Sequence, residues 1–161
     1  MAPRACLFAV LLALAADARA LEAPASYRYR IHHQIFGDIG EHRMTVRREN
    51  DAIMVEHTAE LAVEILGFTA FRRETRFREV WRDERLIAFE GLVEDNGESF
   101  PVRARAAGER LVIEGPAGST EAPASAAPSE PSLDFAIERK WFFDSKTGEL
   151  LNASVTRVGY E

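Results

Sequence analysis

The fold class is decided by residues 53–65, which read IMVEHTAELAVEI. Apolar side chains occupy alternate positions, and glutamate or threonine fills most of the positions between them. A strand points successive side chains to opposite faces, whereas a helix of about 3.6 residues per turn would not separate these residues. The stretch therefore predicts a β-strand with one buried face and one solvated face.

Similar alternating runs lie on both sides of this strand. Turn residues separate them at short intervals: Gly37-Asp38, Asn50-Asp51, Gly67, Asp83-Glu84, Asn96-Gly97 and Gly108-Glu109. Strands joined by tight turns form an antiparallel meander, because parallel neighbours need longer crossover connections. The sequence thus predicts an all-β domain with seven strands between Tyr27 and Glu114, in a single curved sheet or partly open barrel.

The fourth predicted strand is rich in arginine. If Gly67 to Thr69 form a three-residue loop, Glu64 lies opposite Arg72 and Glu60 lies opposite Arg76. Such opposite-charge pairs indicate a solvated sheet face rather than a basic binding patch. The formal net charge of -6 agrees, and no nucleic-acid partner is expected.

Composition changes over residues 115–132. Four of the seven prolines fall here, together with alanine, serine and glycine but no large apolar side chain, which predicts a flexible loop or linker. Beyond it, Leu133, Phe135 and Ile137 alternate, and Trp141-Phe142-Phe143 adds aromatic bulk. We expect these residues to return to the main core, with a last strand near Leu151 to Val158.

The first 20 residues have the pattern of a signal peptide. Arg4 precedes an apolar run from Cys6 to Ala16, and Ala18-Arg19-Ala20 offers small residues where a signal peptidase cuts. Cleavage after Ala20 would export residues 21–161 as a single domain, periplasmic or secreted. That domain has no second long apolar run, so no transmembrane segment is expected, and it contains no cysteine for disulfides or Cys-ligated zinc.

One polar cluster is predicted on the apolar side of the sheet. Two-residue turns at Gly37-Asp38 and Asn50-Asp51 would place His33 opposite His42 and Met44 opposite His57, and the next hairpin would place Glu79 opposite His57. Three imidazoles and a carboxylate are a ligand set that zinc or another divalent ion accepts. The candidate metal ligands are therefore His33, His42, His57 and Glu79. The alternative is a hydrogen-bonded polar network without metal.

No familiar catalytic or cofactor-binding motif occurs: GxSxG, GxxxxGK[ST], GxGxxG and HExxH are all missing from the sequence. No catalytic residue is assigned, and three functions stay open. The favoured one is a non-enzymatic envelope protein that binds an apolar ligand or a partner through inward aromatic residues, namely Tyr27, Tyr29, Phe71, Phe77 and Trp81. The others are a metal-binding protein and a structural module of an envelope complex.

Four short motifs occur in order along the chain: Ile39-Gly40-Glu41-His42-Arg43, Glu79-Val80-Trp81, Glu94-Asp95-Asn96-Gly97 and Thr147-Gly148-Glu149-Leu150. In order and spacing they resemble an uncharacterised bacterial family of exported β-proteins, domain-of-unknown-function family 6134. The resemblance covers roughly Tyr27 to Val158. It implies an exported location and a largely antiparallel β-fold, and it carries no established activity or catalytic residues.

Overall fold

The computed structural model describes residues 24–130 and 132–153. Most of them form one eight-stranded antiparallel sheet in which each strand pairs with the next along the chain. The strands are β1 (Ala25–His33), β2 (Gly37–Glu49), β3 (Ala52–Ile65), β4 (Phe68–Arg82), β5 (Arg85–Asp95), β6 (Glu98–Ala107), β7 (Arg110–Gly115) and β8 (Gly118–Pro123). The predicted antiparallel meander is confirmed. Within the described residues β1 and β8 do not pair, so the sheet is open.

A second, smaller layer follows the meander. It contains β9 (Ala127–Pro128), the helix α1 (Asp134–Ile137), β10 (Trp141–Phe143) and β11 (Leu150–Asn152). Strand β10 pairs in parallel with β9 and antiparallel with β11. The aromatic residues near 141 thus form a strand. Of the predicted last strand, Leu151 and Asn152 belong to β11, and residues from Ser154 onward lie outside the described residues, as does the predicted signal peptide.

The prediction of a flexible loop over residues 115–132 is wrong for most of that segment. Residues 118–123 form β8, which pairs with β7 along its whole length. Ala122, Ala126 and Ala127 are buried. Small side chains allow the backbone to approach the core closely, so this segment is held by strand hydrogen bonds and close packing rather than by large apolar groups.

The core lies between the inner face of the large sheet and the second layer. Trp81 and Phe89 are almost fully buried, and both contact aromatic rings of the second layer. The ring centroids of Phe89 and Phe143 are 5.1 Å apart, and those of Trp81 and Phe135 are 5.3 Å apart, both in edge-to-face geometry. The predicted return of the later residues to the main core is therefore confirmed for Phe135 and Phe143.

The outer face carries rows of alternating charge. One row crosses five strands through directly paired residues, in the order Glu56, Arg78, Glu90, Arg103 and Glu114. The predicted solvated, mixed-charge face is present, but the predicted partners are wrong. Glu60 pairs with Glu74 because the turn contains only Leu66 and Gly67 and a bulge follows Val63. The register differs by two residues, which preserves the faces and changes every pair.

Candidate functional site

A chain of hydrogen-bonded polar side chains lies on the inner face of β2, β3 and β4. Its centre is His57, which is 7% exposed. His57 Nδ1 lies 3.1 Å from His42 Nε2, and His57 Nε2 contacts the Ser132 hydroxyl of the second layer. The two imidazole rings are stacked at 5.3 Å with an angle of 3° between their planes. Met44 and His57 are directly paired, as the second predicted turn requires.

Glu79 closes this chain from β4 and is fully buried. One carboxylate oxygen, Oε2, accepts a hydrogen bond of 2.7 Å from the Trp81 indole nitrogen. The other, Oε1, accepts 2.8 Å from the Ser132 hydroxyl and lies 3.3 Å from His57 Nε2. A buried carboxylate is tolerated only when its oxygens are bonded in this way. We call His42, His57, Glu79, Trp81 and Ser132 the polar cluster.

Electrostatics keep one imidazole of the polar cluster neutral. Burial lowers the pKa of His42 below its ordinary value, and the neighbouring His57 lowers that pKa further. A cation at His42 would lose hydration and face a second imidazole at hydrogen-bond distance. At neutral pH the His42 ring therefore carries one donor and one acceptor nitrogen.

Three of the four predicted metal ligands meet in the polar cluster, and His33 does not. His33 pairs with Gly37, whereas the strand partner of His42 is Tyr29, four residues away along β1, or about 13 Å. The hairpin turns at residues 34–36 instead of Gly37-Asp38, and a bulge follows Ile31, so the predicted pairing of His33 with His42 is wrong. Within residues 24–130 and 132–153, no group of three or more His, Cys, Asp or Glu side chains is arranged to hold a metal ion.

Ser132 is the member of the polar cluster that the sequence did not predict. It lies at the end of the supposed loop, and its only signal is its position just before the alternating run that begins at Leu133. Its hydroxyl donates to Glu79 Oε1 and also contacts His57 Nε2. These contacts fasten the second layer to the sheet.

A groove lies beside the polar cluster, between the β1–β2 hairpin and residues 132–134. Its volume is about 560 Å³, and its lining includes Tyr27, Tyr29, Met44, Val46, Ser132 and Leu133. Tyr27 is 47% exposed and Tyr29 is 49% exposed. Both tyrosines share the inner face, since they pair directly with Met44 and His42. We call this feature the tyrosine groove.

The five aromatic residues predicted to point inward divide into three groups. Phe77 and Trp81 are buried in the core. Tyr27 and Tyr29 line the tyrosine groove instead. Phe71 is partly buried near one end of β4, where the Arg73 guanidinium lies 5.5 Å from its ring. The second layer thus covers the inner face of the later strands and leaves that of β1 more open, while Met44 and Val46 of β2 are partly buried against the core.

Fold and site together define a two-layer protein built on an open antiparallel meander, with a groove at the uncovered end of its inner face. The chain belongs to the family described as Domain of unknown function (DUF6134), whose model matches residues 35–161. No curated protein and no solved structure matches the chain. In the part of the chain that the structure describes, no helix has the length and apolar character needed to cross a bilayer.

Proposed function

We propose that this chain is an exported, non-enzymatic protein that binds an apolar ligand in the tyrosine groove. One observation carries the proposal: Tyr27 and Tyr29 lie on the inner face of the sheet, yet about half of each side chain is exposed. On the neighbouring strands the corresponding face is covered by the second layer. A large aromatic surface left open on the core side of a sheet is a common feature of binding grooves.

The lining indicates the chemistry of the ligand. Tyrosine, methionine, valine and leucine side chains offer contact to an apolar body, while Arg48, Ser132 and Asp134 add charged and polar groups to the lining. A volume of about 560 Å³ suits a small molecule rather than a folded partner. The ligand we propose is therefore an amphiphile, with its apolar part along Tyr27 and Tyr29 and its polar end toward the charged and polar residues of the lining.

The test uses the full-length chain expressed with its own first 20 residues. The intact mass of the exported protein should correspond to cleavage after Ala20, and organic extracts of natively purified protein should contain a lipid or similar apolar compound. Binding of a naphthylamine fluorescent probe should fall several-fold in a Tyr29→Ala variant, because one wall of the groove is lost.

Arg30→Ala is the matched control, since Arg30 is the next residue on β1 and its exposed side chain pairs with Asp38 on the other face. It should bind the probe like the wild type. Clean extracts together with absent probe binding would contradict the proposal. In that case a stable protein partner recovered from envelope extracts would favour the structural-module alternative.

A further inference from the structure

Strand β1 forms one edge of the large sheet. It pairs with β2 on one side, and all of its side chains except that of Ile31 are exposed. Within residues 24–130 and 132–153, no further hydrogen bond reaches the backbone of β1. A strand with one neighbour presents the N–H and C=O groups of every second residue on its other side, where another strand can add. We call this side of β1 the β1 edge.

The opposite edge of the sheet is less suited to strand addition. Strand β8 has six residues and ends at Pro123, whose nitrogen carries no hydrogen to donate. Short edge strands and prolines are common protections against pairing with another chain. Strand β1 has nine residues and no proline, and its pairing with β2 is regular from Ala25 to Ile31. The β1 edge therefore lacks both protections.

The outer face of β1 carries arginines that compete for one carboxylate. Arg28 is paired directly with Arg43 of β2, so two cations lie opposite each other. Both guanidinium groups contact Glu41, with Arg28 Nη2 at 2.6 Å from Glu41 Oε2. The hydrogen bond from Arg28 lowers the pKa of Glu41 most, and that from Arg43 lowers it further. Glu41 thus compensates two positive charges with one negative charge.

Arg30 is the next outward residue of β1 and has a similar environment. Its Nη1 atom lies 3.4 Å from Asp38 Oδ2, and the other oxygen of Asp38 lies 2.9 Å from His32 Nδ1. The side chain of Arg30 is 77% exposed despite this ion pair. On the outer face of β1 and β2, three arginines therefore share the carboxylates of Glu41 and Asp38.

An arginine on this face of the sheet can bind a second carboxylate. Arg76 of β4 contacts Glu74 at 2.9 Å and Glu94 of the neighbouring strand at 3.3 Å. A guanidinium group has five N–H donors, so one ion pair leaves donors for another partner. Acidic and basic side chains alternate across the later strands, whereas Arg28 has an arginine on its paired side. A carboxylate beyond the β1 edge would restore this alternation.

The same charge disfavours a second copy of this chain at the β1 edge. Two β1 strands that paired with each other would place their outward arginines side by side. Like charges on opposed residues of a sheet are destabilising, and charged side chains on edge strands prevent such self-pairing. The added strand should therefore carry negative charge on its outer face.

We propose that the β1 edge binds an extended segment of a partner protein in which carboxylate side chains alternate with apolar ones. Backbone hydrogen bonds to β1 hold the segment as an added strand. Its carboxylates lie beside Arg28 and Arg30 on the outer face. Its apolar side chains lie beside Tyr27 and Tyr29 on the inner face, where both tyrosines are about half exposed. This inference does not rest on a ligand in the tyrosine groove.

The test is binding of a short, fluorescently labelled peptide of alternating valine and glutamate, followed by anisotropy at low ionic strength. The wild type should bind this peptide and not the same peptide with lysine in place of glutamate. Arg28→Glu should weaken binding of the glutamate peptide about tenfold, because an attraction becomes a repulsion, and should bind the lysine peptide more tightly. Arg103→Glu is the control, since it makes the same change of charge at an exposed residue of β6, and it should bind like the wild type.

Two further measurements separate strand addition from general charge attraction. Amide hydrogen exchange should slow in β1 when the glutamate peptide is present and stay unchanged in β8. A peptide whose alternate backbone amides are methylated should bind far more weakly, because it cannot donate to the β1 edge. Arg28→Gln, which adds no carboxylate beside Glu41, should give a smaller loss than Arg28→Glu. Both Arg28 variants should bind the naphthylamine probe like the wild type, so failure of the groove proposal remains distinguishable.

Several results would overturn the proposal. The wild type would fail to bind the glutamate peptide at millimolar concentration, or Arg28→Glu would bind it as well as the wild type. Slower exchange confined to strands other than β1 would place the peptide elsewhere. A dimer of the chain that protects β1 from exchange without any peptide would show that a second copy occupies the β1 edge.

Discussion

Glu79 shows how one buried side chain can hold two layers of a protein together. Its two carboxylate oxygens accept from Trp81 on the same strand and from Ser132 in the second layer, and it has no solvent exposure. A carboxylate in this position is costly unless every partner is present. The polar cluster therefore acts as a unit, and the loss of its acceptor leaves several donors without partners.

Replacing Glu79 with alanine should lower the free energy of unfolding by about 3 kcal/mol, because the Trp81 indole and the Ser132 hydroxyl lose their acceptor inside the core. Urea denaturation followed by tryptophan fluorescence measures this change. Glu90→Ala is the control, since Glu90 is an exposed neighbour on β5 that faces Arg78 and Arg103, and it should cost less than about 1 kcal/mol. Similar losses in both variants would contradict this account of the polar cluster.

The sequence predicted the meeting of His57 and Glu79 by an incorrect route. The predicted register placed them directly opposite each other, whereas Glu79 pairs with Val55 and lies diagonal to His57. The contact survives because a two-residue shift keeps both side chains on the inner face and within diagonal reach. At the first hairpin the register differed by four residues, and His33 therefore lies too far from His42 for the two side chains to meet.

At the scale of elements, Gly91 of β5 leaves room for the aromatic rings of Phe77 and Phe89. It sits between Phe77 and Val102 in the inner row of the sheet. A β-carbon at this position would lie 2.6 Å and 2.9 Å from ring atoms of Phe89, and 3.2 Å from Phe77. Phe89 also contacts Phe143 of the second layer, so its ring has little room to move.

Gly91→Ala should therefore destabilise the fold by about 1–3 kcal/mol through overpacking, despite the better strand propensity of alanine. Chemical denaturation measures the loss. In a Phe89→Leu background, where the ring is absent, the same substitution should cost clearly less. An unchanged cost in that background would show that the Phe89 ring is not the obstacle.

Local signals predicted most elements and missed the ones made of small residues. Seven strands were expected up to Glu114, and seven are present up to Gly115. Strands β8 and β9 were missed because alanine, serine and proline give no alternating apolar signal. β8 pairs with β7, and β9 pairs with β10. Hydrogen bonds to these neighbouring strands favour the extended conformation of both segments.

At the scale of the whole molecule, Asp95 joins the two layers near the end of β5. It accepts from Arg73 of β4 at 2.6 Å and from Lys146 at 2.7 Å, the latter on the turn between β10 and β11. The hydrogen bond from Arg73 lowers the pKa of Asp95 most, and that from Lys146 lowers it further. The carboxylate is thus more favoured in the folded protein than in the unfolded chain.

The lowered pKa of Asp95 predicts how the free energy of unfolding declines at acid pH. A carboxyl group with a lowered folded-state pKa stabilises the fold above its unfolded pKa of about 3.9, and this contribution is lost as the pH falls through the folded-state value. Asp95→Asn should lower stability at pH 7 and show a shallower decline below pH 4 than the wild type. Glu98→Gln, an exposed neighbour, should leave the curve unchanged; urea unfolding across pH 3–7 tests both.

The sequence by itself determined the β class, the meander, the position of most turns and the face on which most side chains of the central strands lie. These features follow from alternation and turn residues, which act over a few neighbouring positions. Only the tertiary structure decided the strand registers, the small-residue strands, the place of Ser132 in the polar cluster and the open groove at Tyr27 and Tyr29. Turn length and bulges change register by two to four residues at little local cost, and exposure depends on which layer packs above a strand. Both are settled by contacts between distant parts of the chain.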